Sequence, residues 1–184
     1  MSSNFVITTP RIGLRPWKDS DQAPFIQMNA DPRVMEFFPS CLSADETLAM
    51  IERIQQFIKT NGFGFWAAEL LQTQQFIGFI GLSMPRFEAS FTPCVEIGWR
   101  LMPEFWGQGL ATEGAAACLT YAFEQLNLNE VVSFTTVTNL RSMRVMQKIG
   151  MKHILNFMHP SLPINHPLSE HVLYQIQNPL HERA

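Results

Sequence analysis

The stretch that most constrains this chain runs from Val95 to Leu119, where an alternating segment, two glycines and a run of small residues follow in direct succession. Val95-Glu-Ile-Gly-Trp-Arg-Leu101 alternates apolar and polar residues, which predicts a strand with one buried face. Pro103 has no backbone donor and ends that strand. Gly107 and Gly109 permit backbone angles closed to other residues and put no Cβ in the way of a ligand. A helix then opens with Thr112 and Glu113 and continues through Gly114-Ala-Ala-Ala-Cys118. Strand, glycine turn and helix start together aim unpaired N–H groups and the positive end of a helix dipole at one point, a place for a phosphate-bearing ligand. The turn alone also suits a plain strand-to-helix connection. A dinucleotide fingerprint wants a third glycine where Thr112 stands, and a nucleotide-triphosphate loop wants a Gly-Lys-Ser/Thr that occurs nowhere.

Around this stretch the pattern predicts a single domain over residues 1–184, since 184 residues suffice for one well-buried core. Phe5 to Arg15 reads as a first strand closed by Pro16, and Asp19-Ser-Asp21 as the cap of a helix running to about Ala30. Ser43-Ala-Asp-Glu46 is a capping box before Leu48, Ile51, Ile54 and Ile58 at helical spacing, and Asn61-Gly62 stops that helix. Phe63 to Leu71 and Phe76 to Ser83 predict a hairpin, with a strand from Thr92 to Leu101 beside it. After the glycine-turn helix, expected to reach about Leu126 and to lie close to the sheet through Gly114, Ala115 and Ala116, Val131 to Val137 predicts a parallel strand. Asn139 caps a last helix ending at Gly150, and residues 153–158 and 170–177 read as the closing strands. The expected fold class is α+β, a mixed sheet flanked by helices.

Composition excludes several function classes. Charged residues are only 16% of the chain, the net charge is −3, and Lys and Arg form no cluster, so no nucleic-acid partner is expected. No apolar run approaches the ~18 residues of a membrane span. The N-terminus has no basic start followed by an apolar region, and Cys41, Cys94 and Cys118 lack metal or redox spacing. These features predict a cytoplasmic protein with reduced, mostly buried thiols and no metal. His159, His166 and His171 also lack ligand spacing, and read as residues shaping a cleft or the surface. No Gly-X-Ser-X-Gly is present for a serine hydrolase.

Three motifs stand in one order: Leu14-Arg-Pro-Trp17 with Asp21; Glu96-Ile-Gly-Trp leading to Phe105-Trp-Gly-Gln-Gly-Leu-Ala-Thr-Glu113; and Asn139-Leu-Arg-Ser142 leading to Gln147-Lys-Ile-Gly-Met151. Together they resemble the GNAT superfamily of acyl-CoA N-acyltransferases, and within it the RimJ/RimL-like branch of protein N-terminal acetyltransferases. The resemblance covers nearly the whole chain and implies the family's fold, a central mixed, mostly antiparallel twisted sheet. It implies acetyl-CoA as co-substrate, its pyrophosphate held by the backbone of Trp106, Gly107, Gln108, Gly109, Leu110, Ala111 and Thr112, and its pantetheine arm along the strand near Leu101. Trp106 stands where the superfamily usually has Arg or Gln. Met146 stands where many members carry a thiolate-protonating Tyr, and a thioether cannot donate a proton. Ser142, one turn earlier, is the remaining hydroxyl. Asn139 and Ser142 read either as helix-capping residues or as contacts for the cofactor's sulfur end.

Acetyl transfer to nitrogen needs a neutral amine, whereas an α-amine titrates near ~8 and a lysine near ~10.4, so a base must take the proton. Glu96, which resembles the family's acidic residue at that place, is the first candidate. Glu69 and Glu88 are alternatives on neighbouring segments, and Glu96 could instead be a solvated sheet residue. Glu113 reads as a favourable first-turn carboxylate. The expected activity is N-acetylation of a primary amine, either a protein N-terminal α-amine or a small amine or antibiotic. A non-catalytic acyl-CoA sensor is the other reading, with a monomer or homodimer as the assembly. A dinucleotide-dependent oxidoreductase is disfavoured by Thr112 and by the hairpin. Segments 31–42, 84–92 and 159–168 are expected to set the acceptor.

Overall fold

The computed structural model describes residues 5–179. Its frame is a sheet of eight strands: β1 (Ile7–Thr8), β2 (Ile12–Arg15), β3 (Phe65–Leu70), β4 (Gln75–Ser83), β5 (Glu96–Leu101), β6 (Glu130–Thr136), β7 (Lys152–Met158) and β8 (Glu170–Gln177). Their spatial order is β1-β2-β3-β4-β5-β6-β8-β7. Every neighbouring pair is antiparallel except β5 and β6, which run parallel as the helix between them requires. The mixed, mostly antiparallel sheet and its flanking helices agree with the expected fold class. The first expected strand is divided: Ile7 pairs with Leu14 and Thr8 with Gly13, so residues 5–15 fold back on themselves as a hairpin. The turn at Thr9-Pro10-Arg11 interrupts the run because Pro10 offers no donor to a continuous ladder.

Helices α1 (Gln22–Ala30) and α2 (Ala44–Asn61) cover one face of the sheet, where Phe25, Met28, Ile51 and Ile54 pack on Ala67, Phe76 and Phe79. Helices α3 (Leu110–Glu124) and α4 (Leu140–Lys148) cover the other, joining Leu110, Ala115, Leu119 and Met146 to Ile80, Leu82 and Ile97. The capping box at the start of α2 forms: Ser43 Oγ accepts from the Glu46 amide and Glu46 accepts from the Ser43 amide. Gly62 closes the helix at φ 78°. Asp21, expected as the cap of α1, caps nothing there with its side chain. Its carboxylate accepts instead from the Lys18 amide at 2.8 Å and twice from the Arg15 guanidinium. In α3, Gly114 and Ala115 face the sheet, and a Cβ at Gly114 would collide with the Ile80 and Ile12 side chains. Ala116, expected beside them, is exposed. Of the thiols, Cys118 is buried, Cys94 half-buried and Cys41 exposed, so burial is less complete than expected. Among the described residues no helix is long and apolar enough to cross a membrane.

Candidate active site

The parallel pair is barely a pair. Glu96 opposite Val132 is the one registered position between β5 and β6, with the Val132 amide bonding to the Val95 carbonyl at 3.0 Å and Ser133 Oγ to the Ile97 carbonyl at 2.9 Å. Beyond Ile97 the strands part, and a cavity of about 760 Å³ opens between them. That lies within the usual ~300–1,000 Å³ of small-molecule sites. The Met102 amide bonds to the Ile77 carbonyl, so even-numbered residues of β5 spend their backbone groups on β4 and odd-numbered ones turn theirs to the gap. The Leu101 carbonyl is taken there by the Trp106 indole N–H at 2.7 Å. The peptide of Trp99, rather than the whole of Leu101, is thus the edge an extended ligand can meet.

The glycine loop lies at one end. Gly107 and Gly109 adopt φ 73° and 79°, angles a residue with a Cβ rarely takes, and Gly109 is the N-cap of α3. The first intrahelical bond is Glu113 N–H to the Gly109 carbonyl, so the amides of Leu110, Ala111 and Thr112 stand before the ladder begins. Gly107, Gly109, Leu110, Ala111, Thr112 and Trp106 all line the cavity. Gln108 does not: its side chain folds back to the Glu104 carbonyl at 2.9 Å. The loop is clamped from behind by the β1–β2 turn. Arg11 bonds to Glu113 at 2.6 Å and to the Gln108 carbonyl at 2.9 Å, and Thr9 Oγ1 donates to Glu113 at 2.6 Å. Burial would raise the Glu113 pKa, yet these hydrogen bonds hold it below its usual value. Glu113 is thereby tied to the fold.

Helix α4 starts beside α3. Asn139 Oδ1 accepts from the Ser142 amide at 3.2 Å, and its side-chain amide donates to Thr135 Oγ1 and to Ser142 Oγ at 2.9 and 3.1 Å. Asn139 is therefore a cap, and Ser142 Oγ, which accepts that bond, keeps its own hydrogen for another partner. Both line the cavity. Arg141 stacks 4.7 Å over Trp106, which gives that position a packing role, and pairs with Glu36 in the segment after α1. Met146 is buried.

Glu96, Gly98 and Arg100 share the other face of β5, the face of α1 and α2, as alternation requires. The half-buried Glu96 carboxylate has no hydrogen bond or ion pair among the described residues, and burial pushes its pKa up to about 7. The two alternatives differ sharply. Glu69 is only 6% exposed, bonded to Arg15 at 2.6 Å and Lys18 at 3.2 Å, and lies outside the cavity. Glu88 is exposed and also outside it. Three groups of residues in the expected acceptor segments do line it: 33–38 in part, 84–87, and His159, whose ring lies 4.6 Å from Phe87. His171 sits 4.9 Å from His159, and burial lowers the pKa of both. His166 Nδ1 accepts from the Leu168 amide within its loop.

Arg100 went unnoticed in the sequence, where it looks like one more polar residue on an alternating strand. Its Nη1 donates to Asn29 Oδ1 at 2.7 Å, and its guanidinium lies 4.2 Å from the Phe38 ring and 5.4 Å from Phe79. Its Nε is buried without a partner, and burial lowers its pKa to about 10. The signal available was its spacing: Glu96, Gly98 and Arg100 alternate onto one face with no side chain between the two charges.

Residues 11–152 match the model of the acetyltransferase (GNAT) domain family. A Bacillus subtilis protein described as the uncharacterized protein YkkB is 32% identical over 154 residues, 83% of this chain and 88% of its own. The FsC-acetyl coenzyme A-N(2)-transacetylase of Aspergillus fumigatus is 33% identical over 156 residues, 81% of this chain and 66% of its own. Among solved structures of the same fold, the spermidine N-acetyltransferase of Vibrio cholerae, in complex with CoA and spermine, aligns with a TM-score of 0.71 at 21% identity over 92% of this chain and 97% of its own.

Proposed function

The chain belongs to the GNAT acetyltransferase family and is an acetyl-CoA-dependent N-acetyltransferase, and from that premise we propose that it acts as one domain on a primary amine entering between segments 33–38 and 84–87, with Glu96 as the base. One observation carries this reading: an unpaired, half-buried carboxylate and the open amides of a helix N-terminus line the same cavity. The amides of Leu110 to Thr112 and the αL glycines suit the coenzyme's pyrophosphate, and the Trp99 peptide suits its pantetheine amides, as an added strand would.

The amine nitrogen attacks the thioester carbonyl, the carbon–sulfur bond breaks, and the thiolate leaves. The proton lost by the ammonium goes to Glu96, whose pKa of about 7 lies close to that of an α-amine. The nitrogen loses its second proton as the amide forms, and Ser142 Oγ, which Asn139 orients, relays it, donating its own hydrogen to the thiolate as it takes up that one; Asn139 is a positioning residue. Met146 leaves that task to the hydroxyl. Thiol release from acetyl-CoA, measured across a panel of N-terminal peptides and small amines, tests this reading. Release with an amine that depends on Glu96 is the expected result. Tight acetyl-CoA binding without turnover on any amine would leave a sensor instead.

A further inference from the structure

The floor of the cavity carries a positive charge that the acetyl-transfer chemistry does not use. In a chain of net charge −3, the ionisable side chains around the cavity are Arg33, Arg86, Arg100, Arg141, Arg144 and Lys148 against Glu96 alone, with His159 at one end. Arg33 is paired with Asp31 and Arg141 with Glu36. Arg100 has no acidic partner among the described residues. Asn29 holds it through Nη1, and Phe38 and Phe79 pack on it. The opposite edge of the guanidinium, Nε and Nη2, makes no hydrogen bond among the described residues. Nε is buried, while Nη2 still meets open space. That edge is the fork that binds a carboxylate through two parallel N–H···O bonds. A buried donor left without a partner in a native fold calls for one.

From this geometry we infer that Arg100 anchors an anionic group of the acceptor, so that the substrate is a primary amine bearing a carboxylate at a distance from its nitrogen. The inference rests on the acetyl-transfer reading above. Two features assign the anion to the acceptor rather than to the coenzyme. Arg100 faces α1 and α2, whereas the glycine loop opens at the start of α3, across the sheet. It also shares its strand face with Glu96, four residues away, about 13 Å between Cα atoms at the rise of an extended strand. Gly98 between them leaves the floor free, with only the Phe65 ring close to where a Cβ would stand. A polycationic amine would meet the unneutralised guanidinium where its second ammonium should go.

The test compares a ladder of ω-amino acids, from γ-aminobutyrate to ε-aminocaproate, with their carboxamides. Two readouts are used: thermal shift in the presence of CoA, and thiol release from acetyl-CoA. At least one acid should stabilise the protein more than its amide and be used ~10- to 100-fold better in kcat/KM, the range of a hydrogen bond to a charged group. Arg100→Met should erase the preference while leaving the amides within about threefold, and Arg100→Lys should keep part of it. Calorimetry should find acetyl-CoA bound as tightly by Arg100→Met as by the parent. A ladder in which no acid outperforms its amide in either readout overturns the inference. So does Arg100→Met lowering acids and amides alike together with the melting temperature, which makes Arg100 a packing residue. Loss of acetyl-CoA affinity in that variant overturns it too, by assigning the guanidinium to the coenzyme. Failure of the acetyl-transfer reading is distinct: it is a parent protein that does not bind acetyl-CoA, or that binds it and releases no thiol with any amine, acid or carboxamide.

Discussion

Two sets of buried charge lie on the same face of the sheet, under the same pair of helices, and they are built oppositely. Toward the β2 edge, Arg15 holds Asp21 through both terminal nitrogens at 2.7 and 2.8 Å and Glu69 through Nε at 2.6 Å, and none of the three is more than 6% exposed. On β5, neither Glu96 nor Arg100 has an ion-pair partner among the described residues. The first set fixes where the chain leaves the sheet for α1, and the second can only be completed from outside. Burying an unpaired charge is costly enough that a fold without a use for it substitutes or neutralises it. Pairing therefore separates the carboxylates tied into the fold from the one left free for the proposed proton transfer, which distance from the cavity alone would not do so cleanly.

The largest effect should come from Glu96→Gln. The variant keeps the shape and loses the proton acceptor, so kcat/KM for the amine should fall ~10²- to 10⁴-fold at neutral pH. The parent's rate should rise through a free-enzyme ionisation near pH 7, and that limb should vanish in the variant, with partial recovery at high pH where the amine arrives neutral. Stability runs the other way. With its pKa raised from 4.5 to about 7, folded Glu96 binds more proton than unfolded Glu96 between those values, so the parent loses stability as pH rises through that window. Glu96→Gln removes this loss and should melt no lower than the parent at pH 8. A variant that melts lower and keeps the parent's pH–rate profile would place Glu96 with Arg15 and Glu69 as a building residue.

Arg15→Met gives the complementary result. It leaves Asp21 buried with no counter-charge and Glu69 with only the exposed Lys18 ammonium, a loss of ~3–5 kcal/mol. For a chain of this size that is a fall of roughly 6–20 °C in melting temperature. Activity per folded molecule, measured well below the melting point with saturating substrates, should change little. A large loss of kcat with an unchanged melting temperature would erase the contrast between the two sets.

Between these charges and the ordinary surface stands Ser142, an uncharged group in the cavity. Ser142→Ala should lower kcat ~10- to 100-fold, equivalent to ~1.4–2.7 kcal/mol in the barrier, with little change in acetyl-CoA affinity, because the hydroxyl matters most once sulfur carries charge. Asn139 bonds to the Ser142 amide as well as to its hydroxyl, so the cap survives the substitution. An unchanged kcat with a lower melting temperature would leave Ser142 as part of the cap alone.

How far these roles could be read in the sequence follows from the range of the interactions involved. Ser43 with Glu46, Gly62, the two glycines before α3 and Asn139 announce themselves, because each satisfies backbone groups within a few residues of its own position. The parallel direction of β6 is legible for the same reason, since a helix-length connection forces it. The insertion of β8 between β6 and β7 is not, because strand order is set by pairing across tens of residues that local pattern does not record. Likewise Arg15-Asp21 lies within a recognised motif, but its third member, Glu69, comes from 54 positions further on, and so looked as free as Glu96. Whether a charge is paired is a property of the fold. In Arg100 it stayed hidden because a strand face open to solvent and one open to a cavity share the same alternation.

The smallest expected effect marks the outer limit of the contrast. Lys18 also reaches Glu69, at 3.2 Å, but its side chain is 56% exposed. An ion pair with one member in water gains little, because solvent already stabilises the ammonium and ordering the long side chain costs entropy. Lys18→Ala should therefore cost at most ~1 kcal/mol, and the difference should shrink in high salt, where exposed pairs are screened. Glu69 keeps its bond to the buried Arg15 guanidinium in the variant, so no carboxylate is stranded. Kinetic constants should not move. Paired thermal melts of parent and Lys18→Ala at low and at molar salt decide the matter. A loss as large as that of Arg15→Met, insensitive to salt, would mean that Lys18 supplies charge that Arg15 cannot. The network would then be open to solvent at one end, and the line between its paired carboxylates and the unpaired Glu96 would have to be drawn by degree of screening instead of by presence of a partner.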